Sequence, residues 1–362
     1  MLSELRAALA TTYSNALDSN TDQAPSTSLM KGFPPAVAQR VTGQNFMASP
    51  YNRWAFRNMA RIRPTITVAC GTSTPSVFGE ERADLNEVQF ESASGHKVRV
   101  IDHLKASSTD GFLVIKNGAI VSEQYFDGHS ADQRHIMFSV TKSLVGIAAE
   151  QSLLDITLDA EALASHYVPE LQGSAFGQAT VRQLLDMAVG IDYVEAYDDP
   201  NSGSSQYGYA CGLMMPPANV QAHPSLYQFL PSLKQAGTHG GFFHYVTATT
   251  EVLAWVMERA SGTSCAQALQ CIWASLGCER DAYFIADPWG RSVAGAGFNA
   301  TLRDMGRFGQ LLLSKGCHNG EQLIAAAAIE SVLKGSDPDI YAKNEVFSLW
   351  RSEARRVGES VE

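Results

Sequence analysis

Paired cysteines, clustered histidines and long apolar runs are all missing from this chain. The six cysteines, Cys70, Cys211, Cys265, Cys271, Cys278 and Cys317, form no Cys-x-x-Cys pair. That excludes a zinc ribbon or a dithiol redox motif, and free, mostly buried thiols in a reducing compartment are expected. The nine histidines show neither His-x-x-x-His nor His-Glu-x-x-His spacing, so no metal and no other cofactor is expected. Basic charge is scarce: 27 Lys and Arg stand against 37 Asp and Glu, a net charge of −10. This argues against a nucleic-acid or anionic-membrane partner. No stretch reaches a membrane-spanning run. The start, Met1-Leu-Ser-Glu-Leu-Arg, has neither the basic nor the apolar region of a signal peptide, and a cytoplasmic location is expected. No internal repeat is visible.

What is present is an ordinary globular composition, 45% hydrophobic and 18% charged over 362 residues. Such a chain can bury a large core as one domain or two lobes. Residues 1–50 are rich in Ser, Thr, Pro and Gln and read as a short helix and an extended arm, with Trp54 and Phe56 as its anchors. Residues 64–100 are mixed and give no pattern. Gly111 to Phe126 reads as a hairpin, because two β-branched runs flank Asn117-Gly118, a type I′ turn signal. Helices are predicted over 180–188, 224–234, 250–260, 265–276, 301–314 and 322–333, with a short strand or bend over 240–246. One hairpin and many helices indicate an α+β fold, a sheet packed by helices with a mostly helical insert between about 150 and 240.

The chemistry concentrates in His135-Ile-Met-Phe-Ser-Val-Thr-Lys-Ser-Leu-Val-Gly146, where a polar segment turns into an apolar helix starting near Ser139. Residues three apart share a helix face, so the Lys142 amine can reach the Ser139 hydroxyl. A serine attacks only after a base takes its proton, and lysine is that base only when its pKa falls. The free N–H groups and positive dipole end of the first turn favour a developing alkoxide. Ser-x-x-Lys occurs four times, beginning at Ser28, Ser94, Ser139 and Ser331. Three matches lie in an arm, a polar turn and a helix end; only Ser139 opens a long apolar helix after a hairpin. A second constellation, Gly241-Phe-Phe-His-Tyr-Val-Thr247, follows about a hundred residues later. Alone, Tyr245 reads as a buried tyrosine bonded to backbone; beside a Ser-x-x-Lys it becomes a site candidate.

With both constellations in place, the chain resembles the serine hydrolases of the class C β-lactamase, penicillin-binding-protein and family VIII esterase group. More narrowly it resembles the 6-aminohexanoate-dimer hydrolases, which cleave linear nylon oligomers. The resemblance runs from about residue 50 to about 350. It is carried by Asn52-Arg-Trp-Ala-Phe56, Phe138-Ser-Val-Thr-Lys-Ser-Leu144, Tyr167-Val-Pro-Glu-Leu171, Gly190-Ile-Asp-Tyr-Val-Glu-Ala-Tyr-Asp-Asp-Pro200, Phe243-His-Tyr-Val-Thr247 and Glu251-Val-Leu-Ala-Trp255. It implies a β-lactamase/transpeptidase-like fold, an antiparallel sheet flanked by helices with a mostly helical second lobe. It divides the chain into an arm (1–50), an α/β lobe (51–150 and 241–350) and a helical lobe (151–240). It makes Ser139 the nucleophile, Lys142 the proton acceptor and Tyr245 the relay to the leaving group. Tyr197 and Thr247 become substrate-binding residues, with Thr247 standing where the family has Ser or Asn. The Ser139 N–H becomes one oxyanion donor, a contribution typically worth ~3 kcal/mol.

The expected substrate is a small linear amide, with a short-chain ester or a non-catalytic binding module as alternatives; a homodimer is compatible with the sequence. The missing export signal disfavours a peptidoglycan enzyme. The family's late His-Gly or Lys-Thr-Gly motif has no match after Tyr245. Residues 351–362 are polar and aperiodic and resemble a sequencing-adapter sequence translated in frame. The sequence-based expectation is therefore a non-native tail on a shortened chain, unstable and nearly inactive as written.

Overall fold

The computed structural model of the protein describes residues 28–92 and 95–343. The expectations for the start of the arm, for Ser94 and for the tail lie outside these residues. The chain forms two compact units. One takes in the described residues up to Ile62, Pro75–His135 and Ala300–Gln310; the other takes in Arg63–Thr74, Ile136–Asn299 and the described residues from Leu311.

The first unit is built on the predicted hairpin. Strands Gly111–Lys116 and Ala119–Tyr125 pair antiparallel, with Lys116 opposite Ala119. Asn117 and Gly118 both have positive φ, 52° and 78°, which a type I′ turn requires. Gly79–Glu80 adds a parallel third strand. Arg303 donates to both oxygens of Glu123 at 2.6 and 2.8 Å, and these bonds lead the causes that hold the Glu123 carboxyl down at about 2. The Asn52-to-Phe56 segment is tied in as expected at Trp54, which is buried, and Phe56 meets the His135 ring edge-on.

The second unit carries an antiparallel sheet in which Ala282–Ile285 lies between Thr65–Val68 and Phe298–Ala300. Two helices fill its core. Thr141–Leu154 buries Leu144, Val145, Ile147, Ala148 and Ala149, and Thr247–Ser261 buries every residue from Thr247 to Met257. Both helices also bury polar side chains, Thr141 and Glu150 in the first and Thr249, Thr250 and Glu251 in the second, and the two pack on each other. The second ends at Gly262 in the left-handed conformation, φ 68°. Capping boxes from Thr180 to Gln183 and from Ser264 to Gln267 start the Val181–Leu185 and Cys265–Ser275 helices.

Three predicted helices are shorter than expected, and the one expected over 180–188 spans Val181–Leu185. The helix expected over 322–333 spans Ala326–Lys334, because Glu321-Gln322 pairs with Cys317-His318 and the Gln322 amide holds the Lys315 and Ile324 carbonyls. The helix expected from Pro224 spans Leu226–Ser232 with Ser225 at its N-cap. Over 240–246, where a short strand or bend is expected, the chain bends at 241–242. None of the six cysteines is in a disulfide; Cys211, Cys265 and Cys278 are buried and Cys271 is exposed. Among the described residues no helix is long and apolar enough to cross a membrane.

Candidate active site

Ser139 sits on a single 3-10 turn, Phe138–Val140, that runs into the Thr141–Leu154 helix. Phe138, just before it, has φ 42°, a left-handed conformation that costs a residue with a β-carbon about 1–3 kcal/mol. The strand at Phe298 clamps this bend from both sides. The Met137 N–H donates to the Phe298 carbonyl at 2.8 Å, and the Phe298 N–H donates to Thr141 Oγ1 at 3.2 Å. The bend leaves Ser139 exposed while the helix behind it is buried.

Lys142, one turn further, donates from Nζ to Ser139 Oγ at 3.0 Å and to the Gly295 carbonyl at 2.7 Å. Burial lowers its pKa to about 8, against the opposing pull of the Glu195 and Glu251 charges. The Tyr245 phenol hydrogen-bonds with the Ser139 side chain, and burial raises its pKa, with the Glu195 charge adding to the rise. Lys142 Nζ lies 5.2 Å from the centre of the Tyr245 ring. At neutral pH the site therefore holds a lysine able to give up its proton and a tyrosine that keeps its own. Both hydrogen-bond with the one Ser139 hydroxyl.

The structure also joins Tyr197 and Thr247. The Thr247 N–H donates to Glu195 Oε1 at 2.7 Å. The Tyr197 hydroxyl bonds Glu195 and Thr247, and burial of that hydroxyl, then Glu195, raises its pKa; its ring stays largely exposed. All five residues singled out in the sequence thus fall in one unit, three of them bonded around Ser139 Oγ and two through Glu195. Sequence reasoning missed Glu195 and the Gly295 carbonyl. The first had a signal, an acidic residue two positions before Tyr197; a carbonyl oxygen has none. Ser139, Lys142 and Tyr245 line a cavity of about 510 Å³ that continues along the helix past Ser143 and Gly146.

Known proteins are similar to this chain in sequence and in fold. The profile of the family described as Beta-lactamase matches residues 98–344. The 6-aminohexanoate-dimer hydrolase of Paenarthrobacter ureafaciens is 33% identical over 305 residues, 84% of this chain and 75% of that protein. A solved structure from Bacillus anthracis, provisionally described as a 6-aminohexanoate-dimer hydrolase, is similar with a TM-score of 0.79 and 30% identity, covering 85% of this chain and 80% of that one. The octameric penicillin-binding protein homologue of Pyrococcus abyssi shares the fold at 16% identity, with a TM-score of 0.50 over 64% of this chain and 57% of that one.

Proposed function

The chain belongs to the beta-lactamase family and is a serine hydrolase of that fold, and we propose that it cleaves a small linear amide of the 6-aminohexanoate-oligomer type through an acyl-enzyme on Ser139. The observation that carries this reading is the pair of hydrogen bonds on Ser139 Oγ, from Lys142 at 3.0 Å and with Tyr245.

The steps follow from that geometry. Neutral Lys142 takes the Ser139 proton as Oγ bonds to the amide carbon, and the carbonyl electrons move onto oxygen. The Ser139 N–H, at the start of the helix, faces the new oxyanion. Collapse breaks the C–N bond. The leaving amine takes its proton from the Tyr245 hydroxyl, and the Lys142 ammonium restores that proton to the tyrosine. Water then attacks the acyl-enzyme, giving its proton to Lys142, and Ser139 leaves as the alcohol. Tyr197 and Thr247 hold the amide. The 33% identity to a dimer hydrolase supports a linear amide, and the cavity beside Ser139 gives an extended chain room.

Aryl esters react by the same path without needing the tyrosine proton. Rates on an amide dimer and on a short aryl ester, measured for the protein and for Ser139→Ala, test the reading. Loss of both activities in the variant is expected; unchanged turnover would defeat it. The proposal includes a cytoplasmic location, checked by fractionation of the source cells.

A further inference from the structure

The Gly295 carbonyl that receives Lys142 is itself held, and the group holding its segment is a carboxylate. Glu251, one turn into the Thr247–Ser261 helix, is fully buried. Its Oε1 accepts the Gly295 N–H at 2.7 Å and the Tyr207 hydroxyl at 2.8 Å; its Oε2 accepts the Ala294 N–H at 3.1 Å. Hydrogen bonds from these three donors favour the ionised form of the carboxyl group. Burial pushes its pKa up, and Arg291 and the three donors oppose that rise. Arg291 Nη2 stands 3.9 Å from Oε2 and also donates to the Glu251 backbone carbonyl.

Gly295 is as constrained as its partner. A β-carbon there would lie 2.8 Å from Thr247 Cγ2, 3.0 Å from the Thr247 carbonyl and 3.0 Å from the Tyr207 hydroxyl. The loop passes where only glycine fits, pinned by Glu251 on one side and turned towards Lys142 on the other. A buried charge costs folding free energy that an apolar side chain would not, and here it organises the segment that meets the base.

We propose that Glu251 is a positioning residue which, through the Ala294-Gly295 segment, holds the Gly295 carbonyl against Lys142 and so aims the lysine at Ser139. The inference rests on the Ser139 acyl-enzyme reading. Glu251 also acts through space: its negative charge, with that of Glu195, steadies the Lys142 ammonium. The other titratable or charged groups around this pair are Tyr245 beside the lysine and, beside Glu251, Arg291, Tyr207, Tyr193, Cys211 and Cys265.

The test is kcat/KM against pH on an aryl ester for the protein, Glu251→Gln and Tyr207→Phe. Rates are taken per Ser139 titrated with a fluorophosphonate, and melting is followed in parallel. In Glu251→Gln the plateau of kcat/KM is expected to fall roughly 10²-fold, the cost of a misplaced group. Its acidic limb should move to lower pH, since the ammonium loses a neighbouring negative charge. Tyr207→Phe, which removes one donor and leaves the charge, should lower the plateau less and leave the limb in place. A Glu251→Gln protein that melts earlier but keeps the plateau and limb has lost only packing, and overturns the inference. Should Glu251→Gln fail to fold, Tyr207→Phe decides: a lowered plateau supports positioning and an unchanged one overturns it. Ser139→Ala separates the two levels. If it keeps full turnover, the serine reading falls and this inference with it; if it is inactive while Glu251→Gln is normal, the inference alone falls.

Discussion

Lys142 shows how one side chain trades stability for chemistry. Its pKa in the fold, about 8, lies below the ordinary lysine value of about 10.4 in an unfolded chain. The unfolded state therefore keeps a proton that the folded state gives up between those values. The resulting penalty is full below about pH 8 and fades as pH rises towards 10. Lys142→Met should lose about 10²–10⁴ of its activity and melt higher by about 2–4 °C or more. That gain should shrink in melts run towards pH 10; a lower melting point at pH 7 would count against a buried ammonium. Tyr245 gives a different signature. Tyr245→Phe should cost amide turnover about 10²–10⁴-fold and aryl-ester turnover much less, because a phenolate leaves without a proton; equal losses would remove it from the leaving-group step. The cluster of Ser139, Lys142 and Tyr245 was legible in the sequence because spacing and motif order single these residues out. Glu251 stood inside one of the family's motifs, yet its task was hidden, because it works through Gly295, whose N–H and carbonyl carry no sequence signature.

At the scale of elements, legibility followed local chemistry. Asn117-Gly118 specified its turn because only residues at ease with positive φ suit a type I′ hairpin, and both adopt it. The helix predicted over 250–260 stops at Gly262 for the same reason. Gly262 takes φ 68°, and a β-carbon added there would meet nothing within 4 Å. Gly262→Ala should therefore act through backbone strain alone, destabilising by about 1 kcal/mol, and a denaturant melt with unchanged midpoint would contradict that. The strands Thr65–Val68, Ala282–Ile285 and Phe298–Ala300 were not readable. They are three or four residues long, and their partners lie far apart in sequence. Phe284 and Ile285 are both buried, as are Phe298 and Asn299, so neither strand shows the alternation that marks a half-exposed strand. The Phe298 strand is also the clamp on the Ser139 bend, which made the strain at Phe138 equally invisible from sequence.

At the scale of the whole molecule, the ordered motifs identified the family where residue patterns alone reached only an α+β fold. The matched family profile spans most of the described chain, and the shared fold extends to a protein 16% identical. Fold alone does not choose a substrate; the Ser139 site must do so. The most direct measurement is intact mass, followed by peptide mapping, of the protein mixed with an activated linear 6-aminohexanoyl ester and quenched in acid within the first turnover. The expected result is one added acyl group, mapped to Ser139 and absent from Ser139→Ala. Turnover with no added mass on Ser139, persisting in Ser139→Ala, would contradict the serine acyl-enzyme outright.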